Sequence, residues 1–234
     1  MSRKSKRNQR GPDNTQPDAG SIRRTWIVYA AVAAMVLALV TGTLLYKREK
    51  SPAGTGAEQA ALASTQSPML GDPAAKVHIV EFIDPACETC AAFFPLVKQV
   101  IAANPDRIRL SVRHVAFHNG SDYVVRLLEA SRKQDKYWQT LEALLASQAQ
   151  WTAHHTVQPE RVGPAIAGVG LNVEQLMTDM NSPDVAARIQ QDANDAITMK
   201  VTATPEYFVN GRPLPSFGEQ QLLTLISEEL QRAY

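Results

Sequence analysis

The sequence predicts an α/β domain built from two strand regions that enclose a helical block. Residues 76–83 alternate with β-branched side chains, which is typical of a strand. Residues 90–103 carry large apolar side chains at helical spacing, so this strand leads through a short loop into a helix. Asn210-Gly211, far along the chain, is a strong hairpin signal. These three observations fix the outline of the predicted domain.

The remaining elements follow from the same periodicities. Residues 107–117 alternate as a second strand, and apolar stripes predict a mostly helical block over about residues 119–199. The chain returns to a strand over residues 206–209, and residues 219–232 form a closing helix. The predicted order is strand, helix, strand, helical block, hairpin and helix.

Charge is distributed unevenly along the chain. Residues 1–50 contain ten Lys or Arg against three Asp or Glu, a net charge of +7, so the remainder carries −6 of the total of +1. A nucleic-acid-binding domain carries its positive charge on the folded surface, whereas here the folded part is mildly acidic. The composition therefore predicts a basic leader on a globular body that does not bind nucleic acid.

The basic leader contains a candidate membrane anchor. Residues 26–46 contain no charged residue, and 21 residues of helix span about 31 Å, close to the thickness of the hydrocarbon layer. Seven basic residues precede this stretch and three follow it, which places the N-terminus in the cytoplasm. We therefore predict a basic, disordered tail over residues 1–24 and a transmembrane helix over residues 25–46. This helix would contact the lipid bilayer, cross it once and leave the following chain outside the cytoplasm.

A cleaved signal peptide is the alternative to this anchor. The apolar stretch is longer than a signal core, and Lys47-Arg48-Glu49-Lys50 follows it where small residues are needed for cleavage. Residues 47–68, rich in small and polar side chains, are predicted to be a flexible linker. The folded domain then extends over residues 69–234, and a pair of cysteines exported with it can form a lasting disulfide.

Cys87-Glu88-Thr89-Cys90 contains the only two cysteines of the sequence. The motif stands where the predicted strand gives way to the helix, so the two thiols share a face of the first turn and are close enough to bridge. Free N–H groups and the helix dipole at that end favour a thiolate on Cys87. This arrangement is suited to thiol-disulfide exchange and needs no cofactor beyond the redox-active Cys87–Cys90 pair.

Several motifs resemble the DsbA-like family of exported disulfide oxidoreductases. Besides the cysteine motif, these are Gly71-Asp72-Pro73, Arg113-His114, Lys136-Tyr137-Trp138 and the stretch from Val201 to Gly211 with Thr204-Pro205. The resemblance covers roughly residues 69–232 and implies a thioredoxin-like fold with an inserted helical subdomain. It also implies exported protein substrates that contain cysteine, and a membrane or periplasmic redox partner that recycles the pair.

The resemblance assigns roles within the motif. It implies that Cys87 is the more exposed, attacking thiol and that Cys90 resolves the mixed disulfide. It also implies that Thr204-Pro205 lies against the pair with a cis peptide bond and offers the Thr204 backbone to a substrate strand. A trans proline that merely begins an edge strand is the alternative for Pro205.

The sequence departs from the family at the two residues between the cysteines. Glu88-Thr89 replaces the Pro-His or Pro-Tyr dipeptide that is common there, and Ala116 and Ala203 replace a usual proline and glycine. Since a nearby like charge disfavours a thiolate, Glu88 is expected to raise the pKa of Cys87 relative to relatives with histidine. An unchanged pKa in Glu88→Gln would contradict this hypothesis.

Other residues allow further roles and functions. Glu81 and Asp84 are candidate proton carriers for Cys90, although a carboxylate at the end of a strand is more often a cap or solvated. Two other function classes remain open. One is a thioredoxin-fold module that handles copper or zinc through Cys87 and Cys90, because thiolates suit these metals. The other is an adaptor in which the cysteine pair is a structural disulfide.

Overall fold

The computed structural model describes residues 32–37 and 56–234. Residues 32–37 are a helical segment, and residues 56–234 contain the folded domain. The predicted tail (1–24), the flanks of the predicted transmembrane helix (25–46) and the first part of the predicted linker lie outside the described residues. Within the two described ranges, no helix combines the length and hydropathy that crossing a bilayer requires.

Residues 56–234 contain a five-stranded sheet, a two-stranded sheet and nine α-helices. The strands are β1 (Met69–Gly71), β2 (Val77–Ile83), β3 (Ile108–His114), β4 (Thr152–Ala153), β5 (Thr156–Val157), β6 (Glu206–Val209) and β7 (Arg212–Pro213). The helices are α1 (Gly56–Leu62), α2 (Glu88–Ala102), α3 (Ser121–Ser131), α4 (Tyr137–Ala146), α5 (Gln148–Trp151), α6 (Pro159–Ile166), α7 (Val173–Asp179), α8 (Pro183–Thr198) and α9 (Glu219–Ala233).

The predicted strands are confirmed, and β2 lies at the centre of the larger sheet. The strand order is β1-β3-β2-β6-β7. β2 and β3 run parallel with Ile83 opposite His114, whereas β1 and β6 pair antiparallel with β3 and β2. β6 and β7 form the predicted hairpin, and Asn210 and Gly211 have the positive φ values, 48° and 82°, that a two-residue turn requires.

Strand β1 is not predicted from the sequence, because three residues are too few to show an alternation. Gly71 ends this strand with a φ of 94°, which favours glycine. A Cβ at this position would lie 2.5 Å from the carbonyl oxygen of Ile108. Glycine therefore permits β1 to approach β3 closely enough to pair with it.

The predicted helical block is confirmed as an insertion between β3 and β6. Helices α3 to α8 occupy residues 121–198, close to the predicted limits of 119–199. Helix α3 packs against α4, α7 and α8, and the buried side chains of the block join the main core that β2 and α2 share. The small β4–β5 hairpin interrupts the block, and His154 and His155 are exposed at its turn.

The two faces of the sheet bury separate sets of side chains, because successive residues of a strand point to opposite faces. Ile79 and Ile83 of β2 pack into the main core with helix α2. Val80 and Phe82 pack into a smaller core with Phe208 of β6. Glu81 shares the face of Ile79 and Ile83, so the alternation places a carboxyl group on the side of the sheet that α2 covers.

The flexible linker predicted over residues 47–68 is wrong for residues 56–62, which form helix α1. The carbonyl oxygen of Ala61 accepts a hydrogen bond from Nη1 of Arg113 at 2.6 Å, and Ala61 is buried. Leu62 packs against the smaller core. The small and polar residues of this segment predict a flexible linker, but Arg113, which is distant in sequence, binds the segment to the domain.

Candidate active site

The two cysteines lie at the beginning of α2, as the sequence predicts. Cys87 is the N-cap residue of this helix, and Cys90 follows in its first turn. Cys87 retains 6% exposure whereas Cys90 has none. Both thiols are free in this structure. The small exposed fraction of Cys87 makes it the thiol of the pair that another molecule can reach, and the attacking and resolving roles stay predictions.

The Thr204–Pro205 segment lies directly against Cys87, although 117 residues separate Thr204 from Cys87. The Thr204–Pro205 peptide bond is cis, as the resemblance implies. The Cys87 thiol donates a hydrogen bond to the carbonyl oxygen of Thr204, with 3.2 Å between sulfur and oxygen. The loop before β6 therefore forms one wall of the site.

The surroundings of Cys87 favour its thiolate. A hydrogen bond with the Cys90 side chain is the main cause that lowers the pKa of Cys87 to about 5. The Thr204 side chain and the backbone N–H groups of Cys90 and Thr89 add to this effect, while burial opposes it. A thiol with such a pKa is ionised at neutral pH, which is the form that attacks disulfides and leaves readily from them.

The Cys90 thiol is less acidic than an ordinary cysteine, because it is fully buried. Burial is the main cause that raises the pKa of the Cys90 thiol far above its usual value. The Cys87 side chain and the Glu81 carboxyl group raise the Cys90 pKa further. Two thiols three residues apart thus differ sharply in acidity, and Cys90 needs a proton whenever it is released from a disulfide.

Glu81 lies on the face of β2 that carries α2 and is completely buried. Its Oε1 accepts a hydrogen bond from the Tyr207 hydroxyl at 3.0 Å, and its Oε2 has no hydrogen-bond partner. Burial is the main cause that raises the pKa of Glu81 to about 8, against the hydrogen bond from Tyr207. The structure thus brings Glu81 close enough to the cysteine pair to affect the acidity of Cys90.

Asp84 is also fully buried, but hydrogen-bond donors surround it. Its Oδ1 accepts from the backbone N–H of Ala86 at 2.8 Å. Its Oδ2 accepts from the backbone N–H groups of Phe117 and His118, from the His118 ring and from the Ser121 hydroxyl. These contacts join the loop before α2 to the loop before α3, and the predicted proton transfer by Asp84 stays a prediction.

The two residues between the cysteines are exposed in the first turn of α2. The backbone N–H of Thr89 helps to lower the pKa of Cys87, whereas Glu88 is not among the groups with the largest influence on it. The hypothesis stays a prediction: Glu88 is expected to give Cys87 a higher pKa than the corresponding cysteine has in family members with a histidine between the two cysteines.

The structure shows further contacts to the cysteine loop and to α2 that the sequence does not reveal. Gln148, in the inserted block, donates hydrogen bonds to two carbonyl groups of the cysteine loop. Phe217, half exposed in the loop between β7 and α9, places its ring 4.6 Å from that of Phe93 on α2. No local pattern marks either residue, because both contacts join stretches that are distant along the chain.

His114 is the last residue of β3 and His118 follows in the next loop, and the two side chains have different surroundings. His114 is buried with its Nδ1 at 3.2 Å from Glu129 and its Nε2 at 3.0 Å from the Tyr137 hydroxyl. His118 binds Asp84, as described above. Across residues 32–37 and 56–234, the structure contains no group of three or more His, Cys, Asp or Glu side chains arranged to hold a metal ion.

A family model described as thioredoxin matches residues 63–228, most of the chain. The chain belongs to the thioredoxin family. DsbA-like proteins of known structure share the fold of this thioredoxin-family chain, so the predicted resemblance is confirmed. The predicted thioredoxin-like α/β fold is confirmed with it.

Three similar proteins illustrate the range of this family. Disulfide bond formation protein D of Bacillus subtilis is 27% identical over 173 residues, which cover 70% of this chain and 77% of the relative. A Na(+)/H(+) antiporter NhaA of Herminiimonas arsenicoxydans is 29% identical over 162 residues, 69% of this chain. A thioredoxin-like oxidoreductase from Silicibacter pomeroyi has a TM-score of 0.65 at 28% identity, covering 77% of this chain and all of that structure.

The two curated relatives differ greatly in length. The chain spans 77% of the length of the disulfide bond formation protein but only 25% of the length of the antiporter. The thioredoxin-like domain therefore occurs both in a protein of similar length and as a part of a much longer one.

Proposed function

We propose that this chain is a thiol-disulfide oxidoreductase that acts on exported proteins through Cys87 and Cys90. The observation that carries the proposal is the contrast between the two thiols. Cys87 is reachable, is favoured as a thiolate and lies against the Thr204–Pro205 bond, whereas Cys90 is buried and favoured as a thiol. The similarity to a disulfide bond formation protein supports the same activity.

The acidity of Cys87 supports the oxidising direction, in which the disulfide form of the pair accepts two electrons. A substrate thiolate attacks Sγ of Cys87, the Cys87–Cys90 bond breaks, and Cys90 leaves. A second substrate thiolate then attacks the substrate sulfur of the mixed disulfide and releases Cys87 as a thiolate. The substrate gains a disulfide and the pair ends reduced. Stabilising the Cys87 thiolate favours this final state.

Glu81 is suited to supply the proton that Cys90 needs in this reaction. A carboxyl group with a pKa of about 8 exchanges protons near neutral pH, and the partnerless Oε2 of Glu81 is available for the transfer. In the reverse reaction Glu81 would accept the proton of Cys90. The proposed route makes Glu81 the proton carrier and leaves Asp84 to hold the loops together.

The wall formed by Thr204 and Pro205 is suited to bind substrate backbone. The Thr204 carbonyl oxygen that accepts from the Cys87 thiol is freed when that thiol ionises or enters a disulfide. It can then accept a hydrogen bond from an extended substrate segment, the usual way in which a strand adds to exposed backbone. The exposed side chains of Glu88 and Thr89 would border the same segment.

The proposed location is the periplasmic face of a bacterial inner membrane. The uncharged stretch 26–46 is long enough to span the bilayer, and residues 32–37 within it are helical. The apolar side chains Val32, Met35, Val36 and Leu37 are each more than half exposed in this segment, as lipid contact requires. A membrane or periplasmic redox partner would return the pair to its disulfide form.

The activity is tested by removing the resolving thiol. In Cys90→Ala, the Cys87 thiolate is expected to attack disulfides of exported proteins, the reverse of the oxidising step, and to accumulate as mixed disulfides because no second thiol on this chain can release them. These adducts should appear on non-reducing gels of bacterial extracts and disappear with dithiothreitol. Cys87→Ala with Cys90→Ala is the control and should trap nothing.

A purified assay complements this trapping experiment. The parent chain, recycled by oxidised glutathione, is expected to form the disulfide of a peptide that contains two cysteines, and Cys87→Ala is expected to be inactive. Folded Cys90→Ala that traps no protein, together with a parent chain that leaves the peptide reduced, would contradict the proposed function. Copper or zinc bound by the parent chain and lost in Cys87→Ala would instead favour the metal-handling alternative.

A further inference from the structure

The side chain of Gln148 connects the inserted helical block to the cysteine loop. Gln148 is the first residue of α5 and is 6% exposed. Its Nε2 donates to the carbonyl oxygen of Pro85 at 2.7 Å and to that of Cys87 at 3.0 Å. A side-chain amide has two N–H donors, so both are used on this loop. One residue of the insertion thus binds the backbone on either side of Ala86.

Gln148 complements the contacts that Asp84 makes on the same loop. Asp84 accepts from the backbone N–H groups of Ala86 and Cys87, the first through its side chain and the second through its carbonyl oxygen. Gln148 binds carbonyl oxygens instead, and Pro85 has no N–H, so its carbonyl is its only backbone hydrogen-bonding group. Asp84 therefore binds the backbone N–H groups of the short loop before α2, and Gln148 binds its backbone carbonyl oxygens.

The backbone that carries Gln148 is itself fixed. Trp151, three residues further along, is completely buried, and its ring N–H donates to the carbonyl oxygen of Leu144 at 2.9 Å. The Thr152 hydroxyl donates to the carbonyl oxygen of Gln148 at 2.9 Å. An amide on such a rigid support can define the position of its acceptors, whereas one on a mobile loop would follow them.

We propose that Gln148 is a positioning residue of the active site, through which the inserted block fixes Cys87 at the beginning of α2. The proposal rests on the proposed function and assigns the insertion a part in it. Besides the Cys90 side chain, backbone N–H groups of the first turn stabilise the Cys87 thiolate, and their direction is set by the peptide units on either side of Cys87. The carbonyl oxygen of Cys87 also accepts from the N–H of Ala91 at 3.2 Å, the first turn of the helix. Without the hydrogen bond from Gln148, the Cys87 carbonyl oxygen would keep only the bond from the Ala91 N–H.

Substitution by methionine tests this role, because methionine is close to glutamine in size and cannot donate a hydrogen bond. We expect Gln148→Met to slow the alkylation of Cys87 by iodoacetamide at pH 5 by about threefold to tenfold, because a less well oriented first turn raises the Cys87 pKa. The equilibrium constant for reduction of the pair by glutathione should fall in the same sense, since the reduced form is stabilised less. A purely structural role would lower thermal stability without changing either measurement in the folded protein.

Gln150→Met is the matched control, because Gln150 belongs to the same helix and is exposed. It should leave the alkylation rate and the glutathione equilibrium unchanged. Should Gln148→Met not fold, Gln148→Asn keeps an amide but shortens the side chain by one methylene, and a change in the same direction is expected. A folded Gln148→Met or Gln148→Asn with parental alkylation and parental equilibrium would overturn the proposal. If the parent chain itself shows neither an ionised Cys87 near pH 5 nor disulfide exchange, the proposed function fails instead.

Discussion

Glu81 and Asp84 are two buried carboxyl groups separated by two residues, and the alternation of β2 gives them opposite surroundings. Glu81 points from the middle of the strand into an apolar core, where only the Tyr207 hydroxyl reaches it. Asp84 follows the end of the strand, where loop backbone supplies N–H donors. Isolation raises the pKa of Glu81 because its charged form is poorly compensated. The same residue chemistry thus yields a carboxyl group with a raised pKa at one position and a hydrogen-bonded loop anchor at the other.

The pKa of Glu81 predicts a pH-dependent loss of stability that Glu81→Gln removes. The pKa is about 8 in the fold against a usual 4.5, so the folded chain keeps a proton that the unfolded chain releases. Stability from this group is complete below pH 4.5 and falls as the pH rises towards 8, by about 3 kcal/mol at pH 7. Urea unfolding of the reduced form from pH 4.5 to 8 should show a steeper loss of stability with rising pH in the parent than in Glu81→Gln.

The same variant is expected to slow the proton-dependent exchange of Cys90, since glutamine cannot carry a proton. Glu160→Gln is a suitable control, because Glu160 is exposed on α6. It should keep both the parental pH slope and the parental rate of exchange. Equal pH slopes for the parent and Glu81→Gln would show that the buried carboxyl group does not carry the assigned proton.

At the residue scale, local motifs predict some of the site and long-range contacts decide the rest. The cysteines could be placed at the helix because strand and helix periodicities meet there, and Thr204-Pro205 because the resemblance covers it. Gln148 could not be found, since a glutamine among helical residues has no distinguishing spacing. Its role depends on how the inserted block docks onto the cysteine loop, which a single sequence does not show.

Among the elements, β3 and α8 are joined by the buried guanidinium group of Arg113. Nε of Arg113 lies 2.6 Å from a carboxylate oxygen of Asp192, and Nη2 is hydrogen-bonded to Asp195. Its third contact is the Ala61 carbonyl oxygen of α1. Arg113 is completely buried, so two carboxylates and one carbonyl supply the compensation that water would give elsewhere. This one side chain thus holds three elements together on the face of the sheet opposite α2.

Breaking this cluster is expected to be costly. Arg113→Met should lower the free energy of unfolding by about 3–5 kcal/mol, because Asp192 and Asp195 are left buried without a cation. Arg126→Met is the control, because Arg126 pairs with Asp122 one turn away on the exposed surface of α3. That variant should change the free energy of unfolding by less than about 1 kcal/mol. Urea unfolding at pH 7 measures both, and similar losses in the two variants would refute the assigned role of Arg113.

Element prediction succeeded where a periodic pattern extends over several turns or strand residues. Helix α2 and the inserted helices show such stripes, and β2 and β3 show alternation. Helix α1 and strand β1 did not emerge, because the first has the composition of a tether and the second has three residues. Both depend on β3, through Arg113 and through pairing at Gly71, so tertiary contacts rather than local preference define them.

For the whole molecule, the sequence predicts two parts with different surroundings, an anchor in lipid and a domain outside the cytoplasm. Full-length protein is expected in bacterial membranes after alkaline extraction. A membrane-impermeant maleimide should label reduced Cys87 in cells whose outer membrane alone is permeabilised. Ser5→Cys, in a chain with Cys87→Ala and Cys90→Ala, is the control and should be labelled only after lysis. Protein in the soluble fraction, or Cys87 labelled only after lysis, would disprove this topology.

The order of the elements, the length of the insertion and the position of the cysteines could be predicted for the whole domain. The assembly of the site could not, because it brings together β2, the loop before β6 and a helix of the insertion. These stretches are distant along the chain and meet only through tertiary contacts. Periodicity reports which face of an element is buried, whereas it says nothing about which distant residue buries it.

The burial of Arg113 has a consequence for how the fold responds to dissolved salt. Dissolved salt weakens pairs that are open to solvent, such as Lys98 with Glu142, because mobile counterions screen them. Counterions cannot approach a guanidinium group that has no exposed surface. The connection between β3 and α8 should therefore hold equally well in dilute and in saline surroundings, and urea midpoints measured across that range would reveal it.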